Sequence, residues 1–373
     1  MAMKDILVIG GGKIGSVVAA LLAHATGETR YRVTVADRSA AQLAEVQRET
    51  PSPQLSTLVL DVNDTAQLRN AMQGRFAVLS AAPYHLTVKV AEAAREAGVH
   101  YLDLTEDVAS TRRIRDLAVG ATSAFIPQCG LAPGFISIVA ADLARQFDSL
   151  DSVRMRVGAL PAYPSNALNY NLTWSTEGVI NEYCEPCEAI VNGQIASVPA
   201  LEEREEFSLD GVLYEAFNTS GGLGTLCETL AGRVRTLNYR TIRYPGHAAI
   251  MKALLHDLRL RDRRDVLKDI LENSLPATMQ DVVIVFVTVS GQREGRLQQE
   301  TYARKIYSHV LAGRMRSAIQ ITTASSLCAM LDLLATGQLP QSGFVRQEDV
   351  RLGDFLANRF GHVYAMDEMA RAA

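Results

Sequence analysis

The chain has 373 residues, of which 48% are hydrophobic and 21% charged, with a formal net charge of -4 and a pI near 6.0. Such a composition excludes intrinsic disorder, and the length suits two domains better than one. No dense Lys/Arg cluster offers a field to a polyanion, so nucleic acid is not an expected partner, and no apolar run of about 18–20 residues stands out as a membrane span.

The first 130 residues alternate short apolar, β-branched runs with amphipathic stretches. Strands are predicted at Asp5–Ile9, Arg32–Asp37, Ser56–Asp61, Phe76–Ser80, Val99–Asp103 and Ser123–Pro127. Alternation of this kind implies right-handed crossovers and a doubly wound parallel sheet, here a Rossmann domain over 1–130.

The first strand runs into Gly10-Gly11-Gly12-Lys13-Ile14-Gly15, a G-x-G-x-x-G between strand and helix. Gly10 permits the tight turn, Gly12 lets a pyrophosphate approach the backbone, and Gly15 allows close helix packing. Lys13 and Ile14 complete the loop, and the helix N-terminus supplies amide donors. The second strand ends at Asp37, 22 residues after Gly15, where a carboxylate can accept from both adenosine ribose hydroxyls. Asp37 repels a 2′-phosphate, so NAD is expected over NADP; the adjacent Arg38 would serve a phosphate if Asp37 turned away. Asp61 and Val62 after the third strand are expected beside adenine, and Ser80, Ala81 and Ala82 after the fourth beside the nicotinamide half.

Tyr84, Asp103, Thr105 and the loop Cys129–Gly134 all follow strands of this sheet, and so should converge on the cofactor's carboxyl edge. The stretch IPQCGLAPGF (126–135) is expected both to cross to a second domain and to border the cleft. Asp103 is a candidate base whose pKa desolvation would raise; alternatively it caps the helix starting near Asp107, or Glu106 acts instead.

Beyond Phe147 the texture changes. Ser152–Leu160 alternates, Asp210-Gly211 sits between two strand-like runs as a hairpin turn, and Asp281–Val289 faces Leu297–Tyr307 across a Gly/Arg-rich turn. A second α+β domain with an antiparallel or mixed sheet is expected over 131–315, with 316–373, including an apolar helix over Ser317–Ala335, packing back on the first. Cys184 and Cys187 form CEPC without a second CxxC or a His pair, so no metal is expected. Five cysteines are an odd number that suits reduced thiols, and the N-terminus lacks the order of a signal peptide; a cytoplasmic location is expected.

The series GGGKIG, SAAPYH, YLDLTED, CGLAPGF, GALPAYPSNALNYNLTWS and RYPGH resembles the saccharopine dehydrogenase-like family over nearly the whole chain, in particular the lysine 6-dehydrogenases. The resemblance implies a catalytic domain that also forms a homodimer, and NAD-dependent oxidative deamination of the ε-amino group of L-lysine. Relatives form or cleave secondary amines such as saccharopine. On that basis Asp103 is expected as base with Tyr84 as its helper, and His247 as a proton relay. Arg243 is expected as the fork for the amino-acid carboxylate, with Asn169, Trp174, Thr105 and Cys129 lining the substrate. Nothing in that reaction requires Cys129 as a nucleophile; the alternatives are that Arg243 pairs with a structural carboxylate, that His247 merely satisfies its turn, and that Trp174 is core, the commoner place for a tryptophan. Two rivals stand beside this reading: an NADPH-dependent reductase condensing an amine with a carbonyl, and a nucleotide-sensing scaffold.

Overall fold

The computed structural model describes residues 2–365. The chain divides into two units, Met1–Phe135 together with Gln320–Ala373, and Ile136–Ile319. Residues 366–373, the end of the segment expected to return to the first domain, lie outside the described residues.

In the first unit the apolar runs form six parallel strands: β1 (Ala2–Ile9), β2 (Thr29–Asp37), β3 (Leu55–Val59), β4 (Ala77–Ser80), β5 (His100–Asp103) and β6 (Ala124–Ile126). A helix lies in each interval, and polar side chains mark where several begin: Ser39, Asp64 and Asp107 accept from backbone amides three residues on. The order is β6-β5-β4-β1-β2-β3, extended past β6 by the short parallel strand Gly343–Phe344. The order reverses between β1 and β4, and ligands of such sheets bind at the carboxyl ends beside that reversal. Register places Ile9, Ser80 and Asp103 abreast, so the loops that follow them emerge along one edge. Most of these strands are buried on both faces, with Leu7, Val78, Tyr101 and Phe125 packed against Val90, Ala94 and Ile114. β3 departs from the expected uniform burial, because it is an edge strand: Leu58 and Val59 are 36% and 57% exposed.

Helix Ala318–Ala335 corrects one expectation. It is long and apolar enough to cross a membrane by length and composition, yet 89% of it is buried within the protein, which makes it a core helix. Near its end Asp332 accepts hydrogen bonds from Tyr31 Oη (2.5 Å), Asn358 Nδ2 (2.8 Å) and Arg359 Nη2 (2.5 Å). One carboxylate thus fastens the returning segment to β2.

The second unit holds β7 (Ser149–Pro161), β8 (Cys187–Val191), β9 (Gln194–Val198), β10 (Glu205–Leu209), β11 (Val212–Asn218), β12 (Val234–Arg243), β13 (Asp281–Arg293) and β14 (Arg296–Tyr307). The path is β10-β11-β12-β7-β13-β14, with β8 joining β12 to β9. The sheet is mixed, since β12 runs parallel to β7 while every other pairing is antiparallel. Asp210 (φ 51°) and Gly211 (φ 75°) make the tight turn of the β10–β11 hairpin, as Glu294 and Gly295 do for β13–β14.

Candidate active site

The glycine loop separates into positions the fold needs and one it does not. A Cβ at Gly10 (φ 98°) would sit 2.8 Å from the Ala81 carbonyl oxygen, and one at Gly15 would sit 1.9 Å from the Gly10 carbonyl oxygen. Either would force the loop away from β4 or from its helix. Gly12, by contrast, has nothing within 4 Å of that point, which leaves the open approach that a pyrophosphate requires. The helix Gly15–Ala23 has no side-chain N-cap; Ser16 N donates to the Gly12 carbonyl (3.0 Å), and the helix's positive end is otherwise left to an anion. Asp37 is fixed at the end of β2: its Oδ2 accepts from Gly11 N (2.8 Å) and its Oδ1 from Ser39 N (2.9 Å). Lone pairs remain on both oxygens for ribose hydroxyls. These residues fit a dinucleotide. Arg38 is exposed and makes no ion pair among the described residues.

Asp61 is exposed and closes a turn by accepting from Asn63 N (2.9 Å). Val62, expected beside adenine, instead packs in the core with Leu60 and Leu68, because the chain turns inward there. Ser80 is buried, while Ala81 and Ala82 are partly exposed beside Gly10. Tyr84 begins the helix Tyr84–Ala97; its hydroxyl has no hydrogen-bond partner among the described residues.

Asp103 is fully buried and its carboxylate is enclosed by donors. Oδ1 accepts from Gln128 N (2.8 Å) and Thr105 N (3.0 Å), and Oδ2 from Tyr101 Oη (2.7 Å). Burial pushes its pKa up to about 6, partly offset by those three hydrogen bonds. It does not cap the next helix, since Asp107 does that through Ser110 N. Nor does it touch open space as it stands. Thr105 is 4% exposed and uses its Oγ1 to accept from Asp107 N (3.2 Å), so it shapes the turn. Cys129 does not line an open site: it is fully buried, its thiol donates to the Ile126 carbonyl (3.0 Å), and burial raises its pKa well above the usual thiol range. Gln347 secures this loop through Pro127 O (2.8 Å) and Cys129 Sγ (3.3 Å).

A second cluster forms in the other unit, where the LNYNLTWS and RYPGH segments meet. Arg243, at the end of β12, is 2% exposed. Its Nε donates to Tyr183 Oη (2.9 Å), its Nη1 to Ile242 O (2.8 Å), and its guanidinium carbon lies 5.0 Å from the Tyr170 ring centre. Among the described residues no carboxylate lies within ion-pair distance of it, although Glu182 is felt electrostatically. Such a cation is costly unless a counter-anion arrives. Tyr183 Oη also meets His247 Nε2 (3.0 Å), and His247 Nδ1 lies 2.9 Å from Leu168 O. A carbonyl can only accept, so the proton is assigned to Nδ1, and Nε2 accepts from the tyrosine.

The surroundings of His247 disfavour the charged ring that a relay at neutral pH would use. Burial and the Arg243 charge push its pKa down to about 3, which holds the ring neutral. Glu215, opposite Arg243 in register, accepts from Gly246 N (3.1 Å) and Ala248 N (2.7 Å) and so fixes the Pro245-Gly246-His247 turn. Asn169 (φ 48°) and Trp174 lie on the same segment as Tyr170; Trp174 packs on the core, where a Cβ at Gly178 would come within 2.4 Å of its ring. All five cysteines are free thiols, and no group of metal-ligating side chains occurs among the described residues.

Sequence reading passed over Tyr101, Gln128, Gln347, Tyr170 and Tyr183. Tyr101 could have been found, because residues i and i+2 of a strand share a face with Asp103. The others arrive from distant segments with no local signature.

Residues 6–124 match the family model for the saccharopine dehydrogenase NADP binding domain, and residues 130–358 that for the saccharopine dehydrogenase C-terminal domain. The chain is 25% identical over 214 residues to saccharopine dehydrogenase (NADP+, L-glutamate-forming) of Schizosaccharomyces pombe, a match covering 54% of this chain and 45% of that protein. It is 24% identical over 201 residues to mitochondrial alpha-aminoadipic semialdehyde synthase of Mus musculus, covering 52% of this chain and 21% of that one. The chain thus spans less than half the length of either relative. Among solved structures, apo saccharopine dehydrogenase (L-Glu forming) from Saccharomyces cerevisiae superposes with a TM-score of 0.75 at 18% identity, over 92% of this chain and 94% of that one. Homospermidine synthase from Legionella pneumophila in complex with NAD gives 0.68 at 12% identity, over 98% and 91%. At these identities the likeness is one of fold. With both family models matched, and with a glycine loop built for a dinucleotide, the chain belongs to the saccharopine dehydrogenase family of pyridine-nucleotide-dependent oxidoreductases.

Proposed function

We propose that this protein oxidatively deaminates the ε-amino group of L-lysine with NAD, giving allysine, which cyclises to piperideine-6-carboxylate, together with ammonia and NADH. The observation that carries an amino-acid substrate is Arg243, a buried guanidinium without an ion-paired carboxylate, suited to the substrate's own carboxylate. His247 enters this scheme as a positioning residue, since its neutral ring holds Tyr183, which holds Arg243. The choice of the ε-amino group of lysine rests on the resemblance of the LNYNLTWS and RYPGH segments to the lysine 6-dehydrogenases.

When bound, the nicotinamide supplies the hydride acceptor. The chain's part is to remove a proton from the substrate ammonium beforehand and to manage water afterwards, when water adds to the substrate imine and ammonia leaves. Asp103 is assigned the base role, because its raised pKa suits proton exchange near neutrality; the role requires the Gln128–Cys129 or Leu104–Thr105 backbone to move off the carboxylate. Tyr84, with its unengaged hydroxyl, is assigned as the hydrogen-bonding helper. Asp37 supports NAD, because its carboxylate would oppose a 2′-phosphate.

A second reading, oxidation of a secondary amine, is favoured by the names of the relatives, saccharopine dehydrogenase and homospermidine synthase. Initial rates with NAD or NADP against lysine, ornithine, diaminopimelate, polyamines and saccharopine separate the two. NAD reduction with lysine supports the proposal; turnover confined to saccharopine overturns it.

A further inference from the structure

The Asp37–Gly11 contact is one side of a closed ring of hydrogen bonds. Asp37 Oδ2 accepts from Gly11 N, the Gly11 carbonyl accepts from Gln42 Nε2 (2.8 Å), Gln42 N donates to Ser39 Oγ (3.2 Å), and Ser39 N donates to Asp37 Oδ1. In a trans peptide the carbonyl and the N–H point in opposite directions. When Gln42 takes the Gly11 carbonyl, it therefore turns the Gly12 N–H the other way. Among the described residues that N–H has no hydrogen-bond partner, and the space beside Gly12 is open.

We propose that Gln42 is a cofactor-positioning residue: its side-chain amide orients the Gly11–Gly12 peptide so that the Gly12 N–H faces the dinucleotide's pyrophosphate. The proposal rests on the family's dinucleotide site lying at this loop. Gln42 is partly exposed on the helix Ala40–Glu49, and its polar end serves the loop, not the core.

The test is direct binding of NADH, NADPH and ADP to the unmutated protein, to Gln42→Met, which is close in size but has no donor, and to Gln42→Glu, which places an acceptor against the Gly11 carbonyl. Thermal unfolding without ligand is measured alongside. Loss of one well-placed hydrogen bond is expected to weaken all three ligands by a common factor of about five to ten in Gln42→Met, and by more in Gln42→Glu, with the unliganded melting temperature nearly unchanged. Unchanged affinities, or a lowered melting temperature with normal affinity, would make Gln42 merely structural. Weakening of NADH and ADP with NADPH unaffected would show that it acts through Asp37 on the ribose, which also overturns the proposal. Should the unmutated protein bind none of the three ligands, it is the dinucleotide reading that fails, and the proposal falls with it.

Discussion

Replacing Asp103 by Asn separates what this carboxylate costs the fold from what it gives the reaction. Burial lifts its pKa from 3.8 to about 6. That difference of roughly 2 units corresponds to about 3 kcal/mol, an order-of-magnitude figure. The folded-state pKa lies above the unfolded value, so the fold prefers the protonated acid. The stabilising contribution is complete below about pH 4 and is lost as pH rises through about 6. Roughly half of it disappears between pH 5 and pH 8. Asn is isosteric and always neutral, and its oxygen can still accept from Gln128 N and Thr105 N. Urea unfolding of both proteins at about pH 5 and about pH 8 should therefore show the unmutated protein losing about 1–2 kcal/mol more than Asp103→Asn over that interval. At the higher pH the variant should be at least as stable. Its turnover should nonetheless fall by about two to four orders of magnitude, with NADH affinity retained. A gain in stability with a loss of rate marks a group kept for function. Parallel pH–stability curves would refute the buried-charge argument, and normal turnover would remove Asp103 from the chemistry.

Gly12→Ala should leave stability within about 1 kcal/mol, because nothing lies near the new Cβ, yet weaken NADH binding at least about tenfold; Gly15→Ala should instead destabilise by about 1–3 kcal/mol or more through its clash with the Gly10 carbonyl. Isothermal titration and denaturant melts of the pair check both halves. Arg243→Met should raise KM for the amino-acid substrate by about a hundredfold without changing NADH affinity, and removal of an unpaired buried cation should cost the fold little; an unaltered KM would exclude Arg243 from carboxylate binding. Gly178→Ala should push the ring of Trp174, the single tryptophan, out of its packing, shifting its fluorescence to the red and costing about 1–3 kcal/mol. An unshifted spectrum would contradict that packing.

The parallel strands were legible because a strand buried on both faces leaves an unbroken apolar run, as Ile6–Ile9 and Val78–Leu79 do. The Asp210-Gly211 turn and the carboxylate of Asp37 were legible for a related reason: each is specified within a few residues of its own element. The parallel pairing of β12 with β7 was not, because more than 70 residues of intervening chain must fold before the two strands meet. The desolvation of Asp103 was anticipated, but the donors that enclose its carboxylate escaped for the same cause. Its position after a strand was visible, but two of its donors, Gln128 N and the Tyr101 hydroxyl, are brought to it by the register of the sheet. His247 was read as a relay from its residue type. Its neutrality comes from Arg243 and from complete burial, which only the packed structure supplies. The helix Ala318–Ala335 shows the converse, since a span long enough for a bilayer is here mostly buried as core.

The measurement that bears most directly on the proposed reaction is the fate of the hydrogen on the amine-bearing carbon. L-Lysine deuterated at that carbon is incubated with NAD and the protein, and the reduced nucleotide is examined by mass spectrometry. The account requires one deuterium carried on the nicotinamide ring and ammonia released in equal amount. Reduced nucleotide without the label, or reduction seen only when saccharopine replaces lysine, would contradict it.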